Sequence, residues 1–167
     1  MLSTPDAAMA VYQDEEGGIL AGLSSGKGVI DCASLDAGTM RKLGELVTAR
    51  GGRFLAAPVA GHSGMAVAAT CQSICAGDAS LFKEASPALE QLSKNVVGLG
   101  TDVGAASNTK LVINGLMANI TASVGEAVAI AAKANIDENI LFDLISNHAM
   151  NSQLIQLVST DSICYSF

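Results

Sequence analysis

The sequence predicts an α/β fold in which the back half of a sheet domain is followed by the start of an all-helical domain. Up to about residue 100, short apolar runs bounded by glycine or proline alternate with amphipathic stretches, and beyond about residue 104 the pattern is almost entirely helical. Alternating strands and helices are typical of α/β domains. The 167 residues, 50% of them hydrophobic, suffice for one full-sized domain or part of a larger one. We therefore predict two domains, residues 1–103 and 104–167.

The sheet half contains four compact apolar segments that predict strands, the first near residues 28–33. In chain order these segments read GKGVIDCAS, RFLAAPVAG, MAVAATCQSICAGD and VVGLG. A helix separates the first two segments: Ser34 or Asp36 can cap its start, and Gly51 and Gly52 end it. The segment ASLFKEASPALEQLSKN predicts a further helix, which its proline kinks or breaks.

The helical half begins with one long helix, predicted from about Ser107 to Ala134. Two further helices are predicted, at about Asp137–His148 and from about Ser152 onwards. The most apolar stretch, Leu111–Ala132, still contains asparagine, threonine, serine and glutamate side chains. This composition favours the core helix of a soluble protein over a transmembrane span.

Charge and cysteine content exclude several classes of function. The net charge of -7 disfavours a nucleic-acid groove and an anionic membrane surface, so neither partner is expected. The cysteines form no C-x-x-C pair and lie far from the two histidines in sequence, so no metal site is predicted. We interpret them as small buried side chains of a reducing, intracellular compartment, either the cytoplasm or an organelle. The cysteines are Cys32, Cys71, Cys75 and Cys164.

Lys110 and Asn114 are the candidate site in the long helix. They lie four residues apart and therefore share one face of the helix, one turn from each other. Burial and a position near the helix N-terminus would both lower the pKa of the amine, so that it could exchange a proton near neutral pH. The alternative is that Lys110 extends to solvent and Asn114 is a surface amide. Spacing alone leaves both interpretations open.

Ordered motifs along the chain identify a family. The segment VVGLGTDVGAASNTKLVIN resembles the G-x-x-G-x-G-x-x-x-K-x-x-x-N signature of the β-hydroxyacid dehydrogenases. This family includes 3-hydroxyisobutyrate dehydrogenase and the glyoxylate/succinic semialdehyde reductases, and it is related to 6-phosphogluconate dehydrogenase. Three other segments resemble further blocks of the family, in the family's order: GKGVIDCAS, GGRFLAAPVAGHSGMA and CAGDASLFKEASPALEQL. The resemblance covers about residues 1–158.

The resemblance implies a fold and an activity. The chain is expected to contain the C-terminal half of a Rossmann-like sheet domain followed by the first helices of an all-α domain. It implies hydride transfer between NAD or NADP and a small hydroxy acid or aldehyde acid, with Lys110 as general acid/base and Asn114 as a substrate-binding residue. It also implies a homo-oligomer. Neither the choice between the two cofactors nor the individual substrate can be predicted.

The resemblance also assigns roles to loop residues. Ala60, Gly61 and His62 occupy the loop that binds the substrate carboxylate, where Ala60 replaces a serine and His62 a glycine of the family pattern. Ser34 occupies a threonine position beside the nicotinamide. The segment MLSTPDAA resembles a cofactor-contacting loop, so Leu2 and Ser3 are expected to bind the cofactor.

Part of the family pattern is not found in this sequence. The G-x-G-x-x-G turn that cradles the pyrophosphate of a dinucleotide is absent from it. The chain is therefore expected to be truncated at both ends, to bind a dinucleotide poorly by itself and to expose one edge of its parallel sheet. The alternative function is that of a non-catalytic fragment that at most associates with full-length subunits.

Overall fold

A computed structural model describes residues 1–159, and it confirms the predicted α/β fold. The chain divides into two compact units, Met1–Val112 and a second that begins at Ile113. The predicted boundary at residues 103 and 104 stays a prediction. The elements in chain order are α1 Pro5–Gln13, β1 Gly28–Asp31, α2 Ala37–Ala49, β2 Arg53–Ala56, β3 Val59–Ala60, α3 Ser63–Val67, β4 Cys71–Gly77, α4 Ala79–Leu92, β5 Ser93–Gly98, α5 Val103–Lys133, α6 Glu138–Ser146 and α7 Gln153–Ser159.

The sheet of the first unit is mixed, so the expected parallel pairing holds for two of its strand pairs and not for the pairs that β2 and β3 form with β4. β1 pairs with β2 in parallel, and β4 pairs with β5 in parallel. Both β2 and β3 pair with β4 in antiparallel fashion. The reason is the short connection from β3 to β4, which holds only the five-residue helix α3. A parallel connection needs a crossover of about a dozen residues or more.

The predicted strand RFLAAPVAG is two strands, β2 and β3, that continue one ladder. Leu55 pairs with Gly77 and Ala60 pairs with Gln72, so the register is unchanged across the break. The break falls at Pro58, which has no backbone N–H to donate. Its carbonyl still accepts a hydrogen bond from the Ile74 N–H at 3.0 Å.

Two short helices were not predicted. α1 has clear start signals: Pro5 is its first residue, and the Thr4 side chain accepts a hydrogen bond from the Ala7 N–H at 3.2 Å. α3 is too short to show a helical period. The helix around Pro87 is α4, and it continues through the proline without a break.

The long helix α5 starts four residues earlier than predicted, at Val103. Of the described helices, it alone is long and apolar enough to cross a membrane, judged by length and composition. Length and composition of one helix are weak evidence for a span, because core helices pass the same test. The sequence favoured a core helix, yet most of the most apolar window of α5 is exposed in the described residues. Residues beyond 159, including Cys164, lie outside the described part of the chain.

Apolar side chains cover both faces of the sheet in the first unit. One cluster joins one sheet face to α1, α2 and the second turn of α5, through residues such as Tyr12, Met40, Leu43 and Ala106. The other cluster packs α4 against the opposite face through Leu81, Ala85 and Leu89. The resulting core holds the ends of the strands in fixed positions.

A buried hydrogen bond connects α1 to the end of β1. The Tyr12 hydroxyl donates to Asp31 Oδ2 at 2.8 Å, and the Ala33 N–H donates to Asp31 Oδ1 at 2.8 Å. Tyr12 is almost fully buried, and burial is the main cause that raises the pKa of its phenol, with Asp31 adding to the rise. The carboxylate thus has two donors that hold the loop after β1.

We expect Tyr12→Phe to lower the free energy of unfolding by about 1–3 kcal/mol, because it leaves a buried carboxylate with one donor fewer. Chemical denaturation with Asp31→Asn and the double variant completes a double-mutant cycle. Equal losses with and without Asp31 would contradict a direct interaction between the two side chains.

Candidate active site

Strand ends that carry three residues of interest, Ser34, Gly61 and Cys71, lie at one edge of the sheet. β1 and β2 run in the same direction, so the carboxyl end of β1 and the end of the β2–β3 run lie at the same edge. β4 runs in the opposite direction and starts there, at Cys71. Ser34 follows β1 and Gly61 follows β3. Open α/β sheets bind ligands at the carboxyl ends of their strands, so this edge is the candidate site.

Gly61 lies directly opposite Cys71. A Cβ atom placed on Gly61 would lie 2.7 Å from Cys71 Sγ and 3.5 Å from Cys71 Cα. Real Cβ atoms do not approach so closely, so any larger residue at position 61 must displace the thiol. Cys71 is 4% exposed. The predicted substrate loop is therefore packed against the buried thiol of Cys71, which the sequence analysis interpreted only as a core side chain.

The start of α5 is fixed at the other end of β4. The Gly77 N–H donates to the Gly100 carbonyl at 3.0 Å, and Asp102 then accepts from the Gly104 N–H at 3.0 Å. The Arg41 guanidinium of α2 donates two hydrogen bonds of 3.0 Å to the Asp102 carboxylate. The helix thus begins at the edge opposite Cys71, and its first turns bring Lys110 back towards the candidate site.

Lys110 is buried, with 7% of its surface exposed. Burial lowers the pKa of its amine below the ordinary value of 10.5, and the nearby Cys71 thiol opposes this effect. The helix dipole, which the sequence suggested as a second cause, is not at work: α5 starts at Val103, and the dipole acts within the first turn. Lys110, Cys71 and Gly61 therefore form one group in the first unit.

Asn114 stands four residues after Lys110 in α5 and is half-buried. It falls in the second unit, whereas Lys110 falls in the first. The helix that contains both is continuous from Val103 to Lys133.

The other predicted substrate residues flank Gly61. Ala60 is half-buried and pairs with Gln72 in the ladder. His62 is exposed and precedes α3 as its cap residue, but its side chain makes no capping hydrogen bond.

The residues predicted to bind the cofactor lie near the end of β1. Ser34 is exposed in the loop after β1, and Ser3 is exposed at the start of the chain. Leu2 is half-buried against the core that includes Ala33 and Leu35. The Met1 ammonium group acts on the Cys32 thiol, lowering a pKa that burial and Asp31 raise, which places the start of the chain near this loop. Two exposed hydroxyls at a strand end suit the polar nicotinamide half of a dinucleotide, whereas the glycine turn for its pyrophosphate is not in this sequence.

Sequence reasoning missed two residues of this group. The position of Cys71 across from Gly61 follows from the antiparallel register of β3 and β4, which the sequence alone did not give. Ser107, one turn before Lys110, has a fully buried hydroxyl that makes no hydrogen bond among the described residues. Ser107 could have been found from its spacing, because a residue three positions before Lys110 lies on the same helix face as the lysine.

A concave region of the first unit lies at the opposite sheet edge. Residues lining it include Gly77, Asp102 and Arg41, and none of the predicted site residues is among them. Its position at the ends of β4 and β5 separates it from Lys110. Within residues 1–159, no group of three or more histidine, cysteine, aspartate or glutamate side chains could hold a metal ion.

Comparison with known proteins supports the family and the fold. Residues 1–100 match the family described as the NAD binding domain of 6-phosphogluconate dehydrogenase. Glyoxylate/succinic semialdehyde reductase 1 of Arabidopsis thaliana is 35% identical over 93% of this chain and 53% of its own length. Cytokine-like nuclear factor N-PAC of Homo sapiens is 27% identical over 91% of this chain and 29% of its own length. The structure of Mycobacterium tuberculosis 3-hydroxyisobutyrate dehydrogenase with L-serine has a TM-score of 0.77, 28% identity, and coverage of 92% of this chain and 51% of that one.

The fold and the matched domain define an α/β protein of the NAD-binding class, with a buried lysine on the helix after the sheet. The chain belongs to the β-hydroxyacid dehydrogenase family. It spans about half the length of the curated relatives it matches.

We expect Gly61→Ala to destabilise the first unit, because the new methyl group would meet Cys71 Sγ. Truncating the thiol as well, with Cys71→Ala, should restore part of the loss. A double-mutant cycle by denaturant unfolding measures this coupling, which we expect to be about 0.5–3 kcal/mol. Additive effects of the two substitutions would show that the two residues do not touch.

We expect Lys110→Met to raise the free energy of unfolding, because a buried ammonium is replaced by an apolar side chain of similar length. The lysine of the folded protein has the lower pKa, so between its value and 10.5 the unfolded chain binds more protons. Wild-type stability then rises with pH across that window. The advantage of the methionine variant should therefore shrink as pH approaches about 10.

Denaturation at a series of pH values, with exposed Lys133→Met as the control for loss of one charge, measures this difference. A stability difference that stays constant from pH 7 to about pH 10 would rule out a lowered lysine pKa in the folded state.

Proposed function

We propose that this chain takes part in NAD(P)-dependent hydride transfer to and from a small hydroxy acid or aldehyde acid, with Lys110 as general acid/base. The observation that carries the proposal is the burial of Lys110, which lowers the pKa of its amine. The Cys71 thiol acts electrostatically on this amine, and Cys71 itself lies against Gly61. A general acid/base works best when its pKa lies near the working pH. Burial moves an amine in that direction.

Lys110 moves the proton in the proposed reaction. During reduction, its ammonium donates a proton to the substrate carbonyl oxygen while the carbonyl carbon accepts a hydride. During oxidation, the neutral amine takes the hydroxyl proton back. The nicotinamide, when bound, supplies or accepts the hydride. Burial of Lys110 excludes water from the proton transfer and strengthens the electrostatic contact to the developing alkoxide.

The loop after β3 would bind the substrate carboxylate. Backbone N–H groups of Gly61 and His62 are suited to an anion, and Ala60 leaves the neighbouring surface without the hydroxyl of the family's serine. The exposed imidazole of His62 could add a donor. Asn114 would supply an amide to the substrate from the turn of α5 after Lys110.

Leu2, Ser3 and Ser34 would contact the cofactor. Their position around the end of β1 supports this assignment. Leu2 packs against the core there, and both serines are exposed. The nicotinamide side of NAD or NADP is the part that these residues can meet. The proposed division into a partial NAD(P)-binding domain, residues 1–103, and a partial helical domain, residues 104–167, follows the same assignment.

A non-catalytic role as a fragment that associates with full-length subunits, or with a second copy, is the second candidate. The exposed apolar side chains Ile113, Leu116 and Met117 of α5 favour it, because such side chains on one helix suit a partner surface. The similarity to a relative named as a nuclear factor, and not as a reductase, is a second reason to keep this candidate.

We expect the purified chain to bind NADH or NADPH only weakly in a fluorescence titration, because the glycine turn for the pyrophosphate is not in this sequence. At cofactor concentrations that saturate this weak site, we expect it to reduce glyoxylate or succinic semialdehyde, the substrates named for its plant relative. Lys110→Met should lower turnover by about 10²–10⁴-fold and leave cofactor binding intact, because only proton transfer is removed. Lys133→Met, in the last turn of the same helix, should turn over like the wild type.

Two results would contradict the proposal. A folded chain that binds neither cofactor favours the non-catalytic role. Turnover that survives in Lys110→Met would remove the lysine from the mechanism.

A further inference from the structure

The Ser107 hydroxyl is a buried polar group that packing does not explain. It has no exposed surface and makes no hydrogen bond within residues 1–159. The other two serines that are buried in the described part of the first unit, Ser73 and Ser93, are both paired. Their Oγ atoms hydrogen-bond to each other at 2.7 Å. An unpaired buried hydroxyl destabilises the folded state, and alanine would fill nearly the same space without that loss.

Ser107 lies within reach of the Lys110 amine. The two residues are three positions apart in α5, so they occupy adjacent turns of one helix face, with Cβ atoms about 5–6 Å apart. Side chains of helical residues lean towards the helix N-terminus and cover the preceding turn. A lysine at position 110 therefore extends over the turn that contains Ser107.

A hydroxyl is a suitable partner for an amine that gains and loses a proton. It accepts a hydrogen bond from an ammonium and donates one to a neutral amine, whereas a carboxylate only accepts and would hold the lysine in its charged form. Burial lowers the pKa of the Lys110 amine, and the Cys71 thiol of β4 opposes this effect.

We propose that Ser107 is a positioning residue for Lys110, with its hydroxyl hydrogen-bonding to the lysine amine during the proton-transfer cycle. The inference rests on the proposed function, because only a cycling amine needs a partner that serves both of its forms. Ser107 touches neither substrate nor cofactor in this scheme. It acts through Lys110.

The test is a pH titration of the Lys110 side chain by NMR in lysine-labelled protein, with the resonance assigned from its loss in Lys110→Met. We expect Ser107→Ala to lower the titration midpoint by about half to one pH unit, because a hydrogen bond to an ammonium is stronger than one to a neutral amine. Ser107→Thr, which keeps the hydroxyl, should titrate like the wild type. Ser73→Ala, which removes a paired buried hydroxyl elsewhere in the unit, should also leave the midpoint unchanged.

An unchanged midpoint in a folded Ser107→Ala protein overturns the proposal, as does a threonine variant that titrates like alanine. Ser107→Cys, similar in size but a weak hydrogen bonder, provides the same comparison should alanine fail to fold. The titration needs no cofactor and no turnover, so it is read independently of the dehydrogenase assay. A chain that binds no dinucleotide overturns the proposed function, whereas an unchanged midpoint overturns the role of Ser107.

Discussion

The antiparallel ladder between the β2–β3 run and β4 is the constraint on which the rest of the first unit depends. Its register places Gly61 across from Cys71 and reverses the chain at the edge where β1 ends. β5 then runs parallel to β4 and finishes at the opposite edge, where Arg41 and Asp102 fix the start of α5. The helix can therefore return Lys110 to the edge from which β4 departed. A one-residue shift of this ladder would separate the lysine from the glycine loop.

Burial is the physical effect that makes Lys110 chemically distinctive. The sequence suggested two causes for a lowered amine pKa, and the earlier start of α5 leaves the lysine beyond the reach of the helix dipole. Desolvation remains, and the Cys71 thiol moderates it. The start of α5 belongs to the hydrophobic core of the first unit, through Ala106 among others.

Much of the fold could be predicted because its signals are local. Asp36, Gly51 and the proline–glycine boundaries mark elements within a few residues of themselves, and the family motif around Lys110 is a local pattern. The mixed sheet could not be predicted, because strand direction depends on pairing between distant residues. Cys71 could not be predicted as a neighbour of the candidate site, nor Ser107 as a buried hydroxyl, for the same reason. The surroundings of a buried thiol or hydroxyl depend on residues that are distant in sequence. Start signals for α1 were present at Thr4 and Pro5, but the resemblance favoured a loop there.

The most direct test of the account follows the hydride itself. The chain is incubated with NADH or NADPH deuterated at the transferring position of the nicotinamide and with glyoxylate, and the glycolate formed is analysed by mass spectrometry. We expect one deuterium on the carbon that bears the new hydroxyl, and about 10²–10⁴-fold slower formation of this product with Lys110→Met. Absence of labelled glycolate from a folded chain that binds the cofactor would contradict it.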